Sequence, residues 1–114
     1  MKARFNYAIK FVKDMDKAVR YHRDTLGLPL KFQSLEWSEF ATGDVTLALH
    51  PSSDRNPAGK VELGFAVTGL EDVYAKREAL GLRFLAAPKP LHGVLLADVA
   101  GSEDERFSLS EAKA

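Results

Sequence analysis

Two side chains of this sequence, Glu62 and His50, could move a proton. Glu62 lies in a run, 61–67, whose apolar and small residues alternate as in a half-buried strand. A carboxylate in apolar surroundings can act as a general acid or base, whereas a glutamate at a strand end in water has no such role. The His50 imidazole could accept a substrate proton or bind a ligand, or it could face solvent beside Pro51.

An aromatic and an acidic residue, Trp37 and Glu39, stand two positions apart and therefore share one face of a predicted strand. If that face lines a cavity, Trp37 supplies an aromatic wall and Glu39 an acceptor for a planar or cationic ligand. If the face packs under a helix, Trp37 belongs to the core and Glu39 needs a partner such as an arginine. The pattern leaves both interpretations open.

Two further histidines occupy different settings. His92 follows a proline-containing loop, 88–91, from which it could reach the mouth of a cavity or remain on the surface. His22 falls on the inner side of a predicted helix. We therefore expect His22 to be a hydrogen-bonded core or interface histidine rather than a catalytic one.

These residues are positioned by a sequence that repeats itself. Val-Lys-Asp-Met at 12–15 leads through a helical pattern to Leu-Gly-Leu at 26–28, and Val-Thr-Gly-Leu at 67–70 leads to Leu-Gly-Leu at 80–82. The offset is 55 residues between Val12 and Val67 and 54 residues between Leu26 and Leu80. A period near half the chain length predicts two similar supersecondary units rather than a solenoid.

Each half is predicted to have the order β-α-β-β-β. In the first half, Asp14 can cap a helix whose packing face is Met15, Ala18, Val19, His22 and Leu26. Predicted strands cover 5–11, 28–32, 37–41, 45–50, 61–67, 82–86, 94–99 and 106–110, and a second helix covers 70–80. The sequence thus predicts one α+β domain over 1–114, with a first module at 1–50, a linker at 51–59 and a second module at 60–114.

Two predicted helices can cover only one face of so many strands. Val45, Leu47 and Leu49 alternate with Thr46, Ala48 and His50, so one face of this strand suits burial under a helix. The other face is small and polar. It could line a ligand cavity or be simply solvated.

Composition excludes several classes of function. Sixteen basic residues balance sixteen acidic ones, so net charge gives no electrostatic case for nucleic acid or an anionic membrane surface. The absence of cysteine excludes disulfides, thiolate metal sites and cysteine nucleophiles, and it suits a reducing compartment. No apolar run approaches the roughly 18 residues of a membrane span. With no signal-peptide pattern at its start, the chain is expected to be cytoplasmic.

Four segments of the chain, 12–19, 21–28, 43–49 and 106–109, resemble the vicinal oxygen chelate superfamily of glyoxalases, bleomycin-resistance proteins and extradiol dioxygenases. The resemblance extends over essentially the whole chain. It implies two βαβββ modules that form a curved, cup-shaped mixed sheet, the glyoxalase/bleomycin resistance fold, and it implies a homodimer.

The resemblance also implies where a divalent metal would be bound. In metal-dependent members, four His or Glu ligands lie at positions that correspond here to Tyr7, Ala48, Glu62 and Ser108. Only Glu62 is a strong ligand for a metal that needs several charged or imidazole donors. We therefore expect no metal cofactor, which disfavours dioxygenase chemistry.

The preferred hypothesis is a metal-independent protein that holds an apolar or aromatic small molecule in the sheet cavity. Its predicted ligand contacts are Tyr7, Trp37, Glu39, Ala48, His92 and Ser108. The alternative is an enzyme of the glyoxalase or isomerase type, with Glu62 or His50 as general base. A third possibility is a subunit whose open sheet is mainly a surface for a partner.

Overall fold

The chain folds into two units whose boundaries fall within strands. The computed structural model describes residues 1–113, and Ala114, the end of the predicted second module, lies outside the described residues. Residues Asn6–Glu62 form one unit, called the first module below, and residues 1–5 with 63–113 form the second module. Among residues 1–113, no helix is long and apolar enough to cross a membrane.

The first module contains four paired strands and one helical segment. The segment consists of helix α1 (Met15–Arg20) and a π-helical turn (Tyr21–Thr25). The strands are β1 (Arg4–Val12), β2 (Leu30–Phe32), β3 (Ser38–Phe40) and β4 (Thr46–Pro51), arranged in the order β2-β3-β4-β1. β2, β3 and β4 pair antiparallel, and β4 pairs parallel with β1. This order is the predicted βαβββ arrangement.

The second module repeats that arrangement with one additional strand. Its elements are β5 (Val61–Val67), α2 (Leu70–Ala75), α3 (Arg77–Leu80), β6 (Arg83–Phe84), β7 (Lys89–Leu91), β8 (Val94–Ala100) and β9 (Arg106–Glu111). β5 pairs parallel with β9, and β8 pairs antiparallel with β9, β6 and β7. β7 was predicted to be a loop. It forms because His92 and Gly93 adopt φ values of 51° and 76°, as a two-residue hairpin turn requires.

Helix α1 begins as predicted, but the chain leaves α-helical geometry before the predicted end. The Asp14 carboxylate accepts a hydrogen bond from the backbone N–H of Lys17 at 3.0 Å. After Arg20, the N–H of Leu26 reaches the carbonyl of Tyr21, five residues earlier, at 3.1 Å. This wider turn changes the direction in which the side chains after it point. The prediction that Leu26 packs inward was wrong, because 53% of this residue is exposed.

Each module has its own core on the side of the sheet that its helices cover. In the first module the buried residues of this core are Val12, Met15, Val19, Phe40 and Leu49. In the second module they are Val67, Leu70, Val73, Val99 and Leu109. The predicted alternation is confirmed for β4, since Leu47 and Leu49 pack in this core, whereas Ala48 belongs to a separate cluster.

A carboxylate from β9 caps helix α2. Gly69 precedes the helix in a left-handed conformation and has no side chain with which to cap it. The Glu111 oxygens instead accept hydrogen bonds from the backbone N–H groups of Gly69 and Leu70, each at 2.8 Å. These two bonds hold the pKa of Glu111 below its ordinary value, because they favour the ionised carboxylate.

We expect Glu111→Gln to lower the melting temperature at pH 7, since an amide cannot accept both N–H groups as a carboxylate does. The folded-state pKa is depressed, so this stabilisation is present above the unfolded-state pKa and is lost as pH falls through the folded value. The difference between variant and wild type should therefore shrink between pH 5 and pH 2. Glu36→Gln, at an exposed loop position, is the matched control. Equal melting of the two variants at pH 7 would contradict the capping role.

Candidate functional site

The side of the first module's sheet that does not face α1 carries a cluster that we call the aromatic face. It is formed by Tyr7, Ile9, Phe11, Trp37, Glu39, Ala48 and His50. Strand pairing brings these residues together, because Ala48 of β4 lies opposite Ile9 of β1 on one side and opposite Glu39 of β3 on the other. Trp37 and Glu39 thus lie on the face opposite α1, which excludes the interpretation that this face packs under the helix, and their contact with a ligand stays a prediction.

Glu39 is the polar centre of the aromatic face. Its Oε2 accepts a hydrogen bond from the indole N–H of Trp37 at 2.8 Å and another from the Tyr7 hydroxyl at 3.3 Å. Its Oε1 lies 3.8 Å from the ammonium of Lys31. Only 10% of the Glu39 side chain is exposed, so these donors replace the water that burial removes.

The rings of the aromatic face contact one another at tilted or edge-on angles. The Tyr7 and Trp37 centroids are 6.0 Å apart, and the Trp37 and His50 centroids are 6.2 Å apart. Phe11 lies on the other side of His50, with a centroid distance of 5.3 Å. Such arrangements are the favoured ones for aromatic pairs. The half-buried rings of Tyr7, Trp37 and His50 thus pack over the buried residues Ile9, Phe11 and Ala48.

The carboxylate affects the acidity of its tyrosine partner. Burial raises the pKa of Tyr7, and the negative charge of Glu39 and the hydrogen bond to it raise the pKa further. The hydroxyl therefore remains protonated at neutral pH. It acts as a hydrogen-bond donor on this face rather than as a base.

His50 is half-buried between Phe11 and Trp37. Its Nδ1 lies 2.8 Å from the carbonyl oxygen of Pro51, which can only accept, so Nδ1 carries the proton. In the neutral ring, Nε2 is then the atom with a free lone pair. The ring contacts place His50 on the aromatic face, rather than pointing away from it at a strand end.

Glu62 is buried, with 8% of the residue exposed, so it is not a solvated residue at a strand end. It belongs to the first module together with Val61, although both begin strand β5. Its catalytic role stays a prediction.

Two predicted ligand contacts belong to the second module. Ser108 lies on β9, where it pairs with Gly64 of β5 and Asp98 of β8. Its chain neighbours Phe107 and Leu109 pack in the helix-side core. Ser108 therefore occupies the uncovered side of its own module. His92 is an exposed residue of the β7–β8 turn, where its positive φ serves the hairpin. A ligand contact for either residue stays a prediction.

His22 is the core histidine that the sequence predicts. It is 5% exposed, its Nδ1–H donates to the carbonyl oxygen of Ala18 at 2.7 Å, and the Lys10 ammonium donates to Nε2 at 3.5 Å. The ring of Phe40 lies 5.7 Å away. His22 thus packs on the helix side of the sheet, away from the aromatic face.

The residues at the four metal-ligand positions do not fit a divalent metal centre. Tyr7, Ala48, Glu62 and Ser108 offer one carboxylate, one phenol, one hydroxyl and a methyl group. Divalent metals in such sites need several carboxylate or imidazole donors. Across residues 1–113, no three His, Cys, Asp or Glu side chains are grouped so that they could hold a metal ion.

Sequence reasoning missed one contributor to the site, Lys31. Its side chain is 62% exposed and approaches the Glu39 carboxylate from β2. An irregularity in the β2–β3 pairing shifts the register between Leu30 and Phe32. The local pattern therefore gave no signal that Lys31 would reach Glu39, although an acidic residue on a strand invites a search for a basic one on its neighbour.

We expect Glu39→Ala to lower the free energy of unfolding by about 1–3 kcal/mol, because it leaves the buried donors of Trp37 and Tyr7 without an acceptor. Urea denaturation followed by the fluorescence of Trp37, the single tryptophan, measures this change. Glu36→Ala, an exposed glutamate three residues away, should change stability by less than about 0.5 kcal/mol. Similar losses in the two variants would refute a structural role for the Glu39 hydrogen bonds.

Comparison with solved structures shows the same fold in proteins of low sequence identity. The hypothetical protein BH1468 from Bacillus halodurans C-125 has a TM-score of 0.80 at 14% identity, over 100% of this chain and 97% of that one. A variant of the methylmalonyl-CoA epimerase from Streptomyces coelicolor has a TM-score of 0.75 at 17% identity, over 97% and 95% of the two chains. At such identities the similarity shows the fold alone.

A third solved structure carries the family description itself. It is a glyoxalase/bleomycin resistance protein/dioxygenase superfamily member from Vibrio splendidus 12B01, with a TM-score of 0.72 at 14% identity over 97% of this chain and 100% of that one. No curated protein matches the sequence. The model of the Glyoxalase/Bleomycin resistance protein/Dioxygenase superfamily matches residues 4–91, which confirms the predicted resemblance. The elements of the structure and the similar solved structures confirm the α+β fold class. The chain belongs to this superfamily.

Proposed function

We propose that this protein binds a small organic molecule on the aromatic face of the first module, without a metal ion. The observation that carries this proposal is the buried Glu39 carboxylate, held by Trp37 and Tyr7 on a face that is otherwise apolar. Small-molecule sites are typically apolar surfaces with a few fixed polar groups. Glu39, Tyr7 and His50 are such groups.

The fixed geometry of the polar groups supports binding. Trp37 and Tyr7 are already oriented by their hydrogen bonds to Glu39, and His50 is oriented by its bond to the Pro51 carbonyl. A ligand that meets these side chains therefore loses little additional conformational freedom in ordering them. Ala48 is completely buried beneath this cluster, with Tyr7 and Trp37 packed against it, so the half-buried rings are the part of the face that a ligand would contact.

The donor set at the four family ligand positions supports metal independence. With one carboxylate among Tyr7, Ala48, Glu62 and Ser108, binding would rely on shape, aromatic contact and hydrogen bonds. Ser108 belongs to the second module, and its contact with a ligand stays a prediction from the family resemblance. We also propose that the protein is a cytoplasmic homodimer, which its lack of cysteine and the family resemblance support.

The binding proposal is tested by NMR of the ¹⁵N-labelled protein with a panel of small aromatic compounds of mixed charge. Because Trp37 is the single tryptophan, its indole N–H gives one cross-peak that reports directly on the site. Compounds that bind should shift this peak together with amides of β1, β3 and β4. Tyr7→Ala should weaken them about 5- to 30-fold, corresponding to roughly 1–2 kcal/mol for an aromatic contact.

Tyr21→Ala is the control for this experiment. Tyr21 is also in the first module, but half of it is exposed and it lies on the π-helical turn. This variant should bind the panel as the wild type does. The proposal fails if binding compounds leave the Trp37 peak unchanged, or if Tyr21→Ala and Tyr7→Ala weaken binding equally.

A second candidate function is proton transfer next to a carbonyl group, with His50 as base. The observation in its favour is the bond from Nδ1–H to the Pro51 carbonyl, because it directs the basic character of the ring to Nε2. The buried carboxylate of Glu62 is the other candidate base. Several similar structures are methylmalonyl-CoA epimerases, which makes a CoA ester of this kind a reasonable probe.

The second candidate predicts that methylmalonyl-CoA, or a similar thioester, exchanges its α-proton with D₂O in the presence of the protein. His50→Gln should then slow exchange about 10²- to 10⁴-fold, the usual contribution of a general base. His50→Asn keeps a donor to the Pro51 carbonyl but lacks Nε2, so it should be equally slow. Exchange that survives both His50 variants and is lost in Glu62→Gln assigns the base to Glu62. No exchange by the wild type contradicts catalysis with this class of substrate.

A further inference from the structure

The two oxygens of the Glu39 carboxylate have different surroundings. Oε2 accepts hydrogen bonds from Trp37 and Tyr7, which occupy both of its lone-pair positions. Oε1 lies 3.8 Å from the Lys31 ammonium, which is beyond hydrogen-bonding distance. Oε1 therefore keeps acceptor capacity, and within residues 1–113 this long contact is the one ion pair of Glu39.

Lys31 is a weak partner for that oxygen. Its side chain is 62% exposed, so its ammonium remains largely hydrated, and holding it near Glu39 costs side-chain freedom. The two donors on Oε2, an indole and a phenol, are neutral and supply no opposite charge. A buried carboxylate that is balanced so loosely attracts any cation able to come closer than Lys31 does.

The aromatic rings beside Glu39 favour the same kind of ligand. Trp37 and Tyr7 are half-buried, and both contact the carboxylate through their polar atoms. The faces of these rings carry negative electrostatic potential and attract cations. A positively charged nitrogen at Oε1 would therefore meet the anion, and a cationic ligand that also extends over either ring would gain this second attraction.

We propose that the ligand carries a cationic nitrogen of the amidine, guanidine or amine type, which takes the place of Lys31 at Glu39 Oε1 beside Trp37 and Tyr7. This inference rests on the proposed binding function and adds the charge of the ligand. A planar amidine fits best, because one of its N–H groups can donate to Oε1, which Trp37 and Tyr7 leave open, and its flat surface can stack on a ring.

Three probes of equal size and shape test the charge: benzamidine as the cation, benzamide as the neutral compound and benzoate as the anion. Affinities are measured by titration of the Trp37 indole N–H cross-peak. In the wild type, benzamidine should bind about 10-fold more tightly than benzamide or benzoate, as a charge-assisted contact with a ring beside it predicts. In Glu39→Gln this preference should fall to about 2-fold or less.

Lys31→Met is the decisive variant, because it should tighten cation binding, whereas Glu39→Gln should weaken it. Removing the competing ammonium should tighten benzamidine about 2- to 5-fold, the range expected for a weak exposed ion pair, and should leave benzamide unchanged. Lys76→Met is the matched control, because Lys76 forms an exposed ion pair with Asp72 in the second module. Because Lys31 is exposed, its variant tests the inference even if Glu39→Gln folds poorly.

Several outcomes would overturn the inference without deciding the proposed function. A preference for benzoate that disappears in Lys31→Met would show an anionic ligand bound by the lysine. Equal affinity of the three probes, or no shift of the Trp37 peak with any of them, would also exclude a cation site at Glu39. The proposed function would then be decided by the NMR titration with the mixed panel of aromatic compounds.

Discussion

Successive side chains of a β-strand point to opposite faces, and this constraint divides the first module into a core and a candidate site. On β3, Ser38 and Phe40 are completely buried on the helix side, and Glu39 between them is directed to the other face. A shift of register by one residue would bury the carboxylate under α1 and expose Phe40. The core thus fixes the position of the site residues that alternate with it.

Hydrogen-bonded carboxylates have different consequences in the two modules. In the second module, Glu111 accepts two backbone N–H groups, and the bonds complete the start of a helix. In the first module, Glu39 accepts side-chain donors that stand on an uncovered face. Both oxygens of Glu111 accept hydrogen bonds from the backbone. In Glu39, Oε2 accepts the hydrogen bonds and Oε1 keeps acceptor capacity.

Alternation and capping were readable from the sequence because they are local. The two faces of β4, the cap at Asp14 and the burial of His22 all follow from residues a few positions apart. The face of Trp37 and Glu39 was not readable, because it depends on the pairing of Glu39 with Ala48 across two strands. The same holds for Lys31, which reaches Glu39 across an irregular strand pair. Tertiary register is not encoded in a short window of sequence.

The π-helical turn explains why the offset between the two halves of the sequence decreases by one residue. The offset of 55 at Val12 and Val67 drops to 54 at Leu26 and Leu80, and the bond from Leu26 back to Tyr21 spans one residue more than an α-helical bond. The additional residue is therefore taken up inside the helical segment, before the strands that follow. Insertions at this point change the outer surface of the helix, as Leu26 shows, while the sheet keeps its alignment. The turn gives this duplicated architecture a place where its copies differ in length before the paired strands begin.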